Sequence, residues 1–251
     1  MQDAQRTVAI TGGAAGIGLA TAQHWLAAGG KVYILDLKQA AIDVALETLG
    51  GSEGVRGLVC DITDNGSVQA AFDEISRDGD LNGLTNCAGV MIPSPSAAVS
   101  DTDFTRLLDV HVTGTMRACR AAYPLLKKTG GSIVNIASVA SLVGMPHRAA
   151  YVAAKAAIGG LTRTLAVEWA RDGIRVNAVA PGYVRTAMTG DLVKVGKINV
   201  SKIEARTPLG RFAEPREIAS PIAYLMSEEA SYITGHTLLA DGGMTIDGNW
   251  Y

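Results

Sequence analysis

Seven short apolar runs recur along the chain: TVAI at 7–10, KVYILD at 31–36, GLVCD at 57–61, GLTNCAG at 83–89, SIVNIAS at 132–138, RVNAVAP at 175–181 and HTLLADGG at 236–243. Their hydrophobicity is continuous rather than alternating, as strands covered on both faces require. Between them lie segments of helical period, at about 16–29, 38–49, 65–78, 101–128, 151–172 and 215–227. This alternation predicts an α/β fold, a parallel sheet wrapped by helices on both faces. At 251 residues and 48% apolar content the chain suits one large core, so a single domain over 1–251 is expected, with no linker or repeat to divide it. Residues 183–214, polar and lysine-bearing, break the rhythm. A connection that long in a compact domain is usually functional, so a lid over the mouth of a site is expected there, with a surface helical hairpin as the alternative.

Charged residues make up 18% of the chain and the net charge is −2, which argues against nucleic acid or an anionic membrane as partner. So low a charge also suggests surface buried in an oligomer. Cys60, Cys87 and Cys119 show neither a CxxC spacing nor a neighbouring histidine pair, so no metal site is expected and the thiols read as small buried hydrophobes. The opening MQDAQRTVAI lacks the pattern of a signal peptide, and no apolar run approaches the roughly 18 residues that span a bilayer. A cytoplasmic location is the expectation.

The stretch VAITGGAAGIG at 8–18 places Gly12, Gly16 and Gly18 directly after a strand and at the start of a helix. Ligands of open parallel sheets bind beyond the carboxyl ends of the strands, where a glycine turn lets a pyrophosphate reach the helix N-terminus. Asp36 closes the next strand, where an acidic side chain can accept both hydroxyls of an adenosine ribose and repel the extra phosphate of NADP. Ala15 precedes Gly16, so no cation there would neutralise such a phosphate. The expected cofactor is NAD; a strand-end turn residue is the alternative for Asp36.

Tyr151 and Lys155 lie four apart in the alanine-rich run YVAAK, on one face of a helix. An ammonium beside a phenol favours the phenolate and so makes a usable acid/base. Taken alone, the pair also fits a half-buried tyrosine and a solvated lysine. Ser138 ends a strand thirteen residues earlier, so the intervening loop can return its hydroxyl to the phenol, and two hydrogen-bonding groups would then converge on one substrate oxygen.

TGGAAGIG, NCAG at 86–89, Ser138, YVAAK and PGYVRTAM at 181–188 stand in order and in register along essentially the whole chain. In this the sequence resembles the short-chain dehydrogenases/reductases. The resemblance implies a single-domain Rossmann-type doubly wound sheet, with Tyr151 as acid/base, Lys155 lowering its pKa and holding the nicotinamide ribose, and Ser138 polarising the substrate oxygen. It further implies cofactor contacts from Gly12, Ala14, Gly16, Ile17 and Gly18, from Asp61 and Ile62 at the adenine, from Asn86, Ala88 and Gly89, and from Pro181, Gly182, Val184, Thr186 and Met188 at the nicotinamide. A homotetramer is implied as well, to which the helices at 101–128 and 151–172 and the terminal GNWY would contribute surface.

Two positions depart from the family pattern. His111 stands where relatives usually carry an asparagine that kinks the helix and offers its carbonyl to a proton relay; His111 can keep that carbonyl, join the relay as a titrating group, or simply pack. Cys87 replaces a second asparagine, a change of packing rather than chemistry. The substrate pocket is expected to draw on Ser138, Ala140, His147, Arg148, Tyr151 and Tyr183, with Leu142, Met145, Met188, Lys194 and Lys197 nearby. Arg148 can meet a substrate carboxylate or hydroxyl, or stand solvated at a helix start. This mixed lining suits a small polar molecule, so NAD-dependent interconversion of a secondary alcohol (polyol, sugar or hydroxy acid) and its ketone is expected. A 3-oxoacyl thioester reductase is the alternative, and a nucleotide-binding protein without chemistry is the remote one.

Overall fold

The computed structural model describes residues 6–51 and 54–248; the last three residues of GNWY lie outside the described residues. Seven strands form one sheet: β1 (Thr7–Thr11), β2 (Lys31–Asp36), β3 (Val55–Val59), β4 (Gly83–Asn86), β5 (Ser132–Ile136), β6 (Arg175–Pro181) and β7 (Thr237–Ala240). Their order is β3-β2-β1-β4-β5-β6-β7 and every pairing is parallel. The chain starts in the middle, winds outward to β3, then crosses back to β4, so β1 and β4 mark the switch point where such sheets open a crevice.

Alternate residues of each strand supply two cores. Ala9, Leu35, Leu84 and Ile133 pack with Phe72 and Leu126 on one face, against α3 (Asn65–Asp78), α5 (Gly114–Thr129) and α6 (Ala149–Trp169). Val8, Ile10, Ile34 and Val179 pack on the other, with Trp25, Ile42 and Ile222 from α1 (Gly16–Ala27), α2 (Gln39–Thr48) and α9 (Pro215–Met226). The side-chain period of two divides each apolar run between the layers, which is why no strand shows a polar face.

The helical segment expected over 101–128 is interrupted. Ser100 Oγ accepts from the Asp103 amide and starts α4 (Asp101–Leu108); a π turn at Asp109–Thr113 then re-aims the chain into α5. Residues 183–214 adopt the form of a helical pair, α7 (Ala187–Lys194) and α8 (Val200–Arg206), capped by Thr186 and Asn199. The segment is pinned at its base, where the Arg185 amide donates to Ala213 O (2.9 Å) and the Ala213 amide to Tyr183 O (2.9 Å).

Candidate active site

The carboxyl ends of β1, β2, β4, β5 and β6 converge on one crevice. After β1 the chain turns at Gly12 with φ +62°, where a Cβ would stand 2.7 Å from the Ala88 backbone, so only glycine lets these two loops touch. A Cβ on Gly18 would run into the Gly12 carbonyl. The turn is therefore stripped of side chains in front of α1, whose N-terminus has no side-chain cap and no acidic residue in its first turn. Such an end is a receptor for an anion, and its bare backbone fits a dinucleotide pyrophosphate. Asp36 borders the same loop: its Oδ2 accepts from the Ala14 amide (3.1 Å) and its Oδ1 from the Leu37 amide (2.8 Å). Asp61 follows β3 and accepts from the Thr63 amide and hydroxyl, while the buried Ile62 packs under Gly114.

Beyond β5, Ser138 is extended and its Oγ accepts from the Ala140 amide at 3.2 Å, which fixes the hydroxyl at the edge of the crevice. One turn into α6, Tyr151 faces the same opening. Burial pushes its phenol above the ordinary value, opposed by Ser138 and by the Arg148 charge. Lys155 is 5% exposed; its ammonium donates to Ile136 O at 2.6 Å and stands 5.7 Å from the Tyr151 ring centroid. Burial, slightly opposed by Cys87, pulls the ammonium down to about 8. The phenol's own upward shift corrects the simple expectation that Lys155 alone would bring it toward neutrality: Lys155 is spent partly on a carbonyl, and desolvation of the phenol is the larger effect.

His111 lies in the π turn, 3% exposed and edge-on to Tyr151 with ring centroids 5.4 Å apart and planes at 84°. Its Nε2 lies 2.8 Å from Val90 O and 3.3 Å from the Val90 amide nitrogen, and the buried Nδ1 has no partner among the described residues. Burial first, and then the Lys155 charge, push the ring down to about 3 despite the Val90 bond. Burial in this position favours the neutral imidazole. Its backbone carbonyl accepts from Thr115 Oγ1 at 2.8 Å. Cys87 is a half-buried thiol pushed up to about 12 by desolvation against the Lys155 charge, which disfavours the thiolate.

The sequence model of the family described as enoyl-(acyl carrier protein) reductase matches residues 12–245. A tropinone reductase homolog of Arabidopsis thaliana is 37% identical over 98% of this chain and 95% of its own length. The 2-(S)-hydroxypropyl-CoM dehydrogenase 3 of Xanthobacter autotrophicus is 40% identical over 95% of this chain and 96% of its own. The chain belongs to the short-chain dehydrogenases/reductases. Among solved structures, a protein from Beutenbergia cavernae provisionally named an NAD(P)-dependent gluconate 5-dehydrogenase, with NADP bound, superposes with a TM-score of 0.90 at 35% identity, covering 96% of this chain and 97% of that one. As a member of the family, the protein is an oxidoreductase that uses a nicotinamide cofactor and acts on a small molecule.

In this short-chain dehydrogenase/reductase a cavity of about 130 Å³ opens at Tyr151. Ser138, Met145, Arg148, Tyr183 and Ile17 line it, with Pro181, Gly182, Val184, Thr186 and Met188 on the β6 side. Arg148 is 7% exposed, not a solvated helix-start residue. Four expected positions fall elsewhere. Ala140 is 1% exposed, packed behind Ser138 and bonded to it, and does not line the cavity. His147 is exposed and takes φ +63°, with its carbonyl accepting from the Ser94 amide. The side chain of Asn86 is consumed inside the sheet, donating to Asn135 Oδ1 at 2.9 Å. Lys194 pairs with Asp191 on the surface. Leu192, on α7, and Ile198, in the turn between α7 and α8, do line the cavity and were not singled out in the sequence; large apolar residues in an otherwise polar, lysine-bearing segment are the signal that would have found them. A wider cleft of about 710 Å³ adjoins it between α1 and α7, bordered by Gly16 and Thr186. No helix among the described residues is long and apolar enough to cross a membrane.

Proposed function

We propose that this protein is an NAD-dependent dehydrogenase that interconverts a small polar secondary alcohol, of polyol, sugar or hydroxy-acid type, and its ketone, with Ser138, Tyr151 and Lys155 as its catalytic groups. The observation that carries this is the convergence of Tyr151 and Ser138 on one small cavity beside the glycine turn, with Lys155 buried behind them. NAD, when bound, supplies the acceptor for the hydride that leaves the carbinol carbon. Tyr151 takes the hydroxyl proton, and Ser138 donates to the substrate oxygen as it becomes a carbonyl. Lys155 keeps a positive charge near the ring below a pH of about 8, which favours the phenolate against its desolvation. Gly12, Ala14, Gly16, Ile17 and Gly18 would take the pyrophosphate, Asp36 the adenosine ribose, Asp61 and Ile62 the adenine, and Ala88 and Gly89 the loop beside it. Pro181, Gly182, Val184, Thr186 and Met188 would hold the nicotinamide.

Asp36 supports NAD, since its carboxylate stands where a 2′-phosphate would need a cation. The relatives named for hydroxypropyl-CoM and gluconate favour a small polar alcohol. Assembly is proposed to be homotetrameric. The decisive test measures initial rates with NAD and NADP over a panel of polyols, sugar acids, cyclic alcohols and a 3-hydroxyacyl thioester. Tyr151→Phe is expected to lose roughly 10²- to 10⁴-fold in kcat while still binding NADH by fluorescence. Full turnover by that variant would sink the mechanism, and turnover with NADP alone would sink the cofactor assignment. A 3-oxoacyl thioester reductase is the second reading, favoured by the description of the matching family; activity confined to the thioester would establish it.

A further inference from the structure

We propose that Arg148 is the receptor for a carboxylate on the substrate, so that the preferred substrate is a hydroxy acid or the matching oxo acid rather than a neutral polyol. This rests on the reading of the cavity as the site of alcohol oxidation and names its substrate class.

Arg148 is 93% buried by its 7% exposure, and it is the one charged residue among the described residues lining the cavity that Tyr151 and Ser138 share. Its guanidinium makes no hydrogen bond and no ion pair among the described residues. The other enclosed arginines are saturated: Arg117 on Asp109 and Ile62 O, Arg175 on the carbonyls of Leu225, Ser227 and Ile233. The side chain is enclosed, while its nitrogens stay open to the cavity: the fully buried side-chain nitrogen or oxygen without a partner among the described residues is His111 Nδ1, so the guanidinium donors remain free for a ligand entering that space. Its five donors in a planar fork match a carboxylate.

The backbone holds this side chain in place. His147, the one non-glycine residue with positive φ among the described residues, is tied through its carbonyl to Ser94, and Arg148 follows as the N-cap of α6 with no capping side chain. The positive end of that 21-residue helix adds to the preference for an anion. Arg148 precedes Tyr151 by three residues, nearly one turn, so both meet the cavity from the same face. Its charge acts on the phenols of both Tyr151 and Tyr183. A carboxylate held by Arg148 therefore lies only a few bonds from the carbinol addressed by Tyr151, in a space of about 130 Å³. Short 2-, 3- or 4-hydroxy acids meet those limits.

The experiment titrates lactate, 3-hydroxybutyrate and 4-hydroxyvalerate, each beside its amide, into the NAD-loaded enzyme by calorimetry, and follows turnover of the same compounds. At least one acid is expected to bind roughly 10- to 100-fold more tightly than its amide. That ratio should collapse toward one in Arg148→Gln and survive in part in Arg148→Lys, with melting temperatures reporting that the variants fold. Amides binding as well as acids, no acid binding, or an undiminished ratio in Arg148→Gln would overturn the proposal. Glycerol 3-phosphate binding more tightly than every carboxylate would overturn the carboxylate assignment. Should Arg148→Gln not fold, the acid-to-amide ratio in wild type and Arg148→Lys still decides. Neutral alcohols oxidised as well as the acids would remove the receptor and leave the dehydrogenase reading standing. Acids bound through Arg148 but never oxidised would do the reverse.

Discussion

Burial first, and then the Lys155 charge, set the charge of His111. The ring is held at about 3 when folded, against an ordinary 6.5 when unfolded, so between those limits the unfolded chain binds more protons. Stability from this group is complete above pH 6.5 and declines as pH falls toward 3, by about 1.4 kcal/mol per pH unit. His111→Asn is expected to remove that component: between pH 6.5 and 5 the melting temperature of wild type should fall more steeply than that of the variant. Parallel melting curves would show that the imidazole is not held neutral. In the sequence His111 was visible only as a departure from a pattern. Its partners, Val90 O and the Tyr151 ring, come from segments 21 and 40 positions away, and that distant packing is what sets its charge. Arg148 was legible as a cation one turn from Tyr151, but its lack of a partner depends on what the rest of the fold places around it.

Between the strands, a chain of buried polar groups runs across the sheet. Thr11 Oγ1 donates to Asn86 Oδ1 (3.4 Å), Asn86 Nδ2 to Asn135 Oδ1 (2.9 Å) and Asn135 Nδ2 to Thr162 Oγ1 (3.0 Å), linking β1, β4, β5 and α6 directly beneath the crevice. Asn135 is completely buried at 0% exposure and bonds on both sides. Asn135→Ala should take from Thr162 its donor and leave Asn86 Nδ2 with Cys119 Sγ alone, at a cost of about 2 kcal/mol, seen in calorimetry as a loss of roughly 4–8 °C in melting temperature. An unchanged melting temperature would mean that the network contributes nothing to stability. The elements themselves were readable, because continuous apolar runs and helical periods are local signals. Asn135 inside SIVNIAS was not readable as a network member, since its partners belong to three other elements. The π turn at Asp109–Thr113 was hidden for the same reason: helical period runs through it, and only packing against Gly89, Val90 and α6 shows where the register slips.

At the scale of the whole molecule, α6 turns Val167, 80% exposed, and the small residues Ala153, Ala156 and Ala157 to the outside. The homotetramer proposed above would cover this face. Light scattering on the purified protein should give the mass of four 26.0 kDa chains, and Val167→Glu should shift it toward smaller species. A wild-type monomer would contradict the assembly. The sequence by itself determined the doubly wound parallel sheet, the glycine turn before α1, and the placing of Tyr151 and Lys155 one turn apart on a single helix. Each of these is written in local periodicity, or in a spacing of a few residues along one helix or turn. Only the tertiary structure decided which groups are desolvated and which have partners: the neutral His111, the raised phenol of Tyr151, the inward-turned Asn86 and the unpaired Arg148. Burial and pairing are sums over neighbours far apart in the chain, so the charge states on which the chemistry depends exist only once the fold has closed around them.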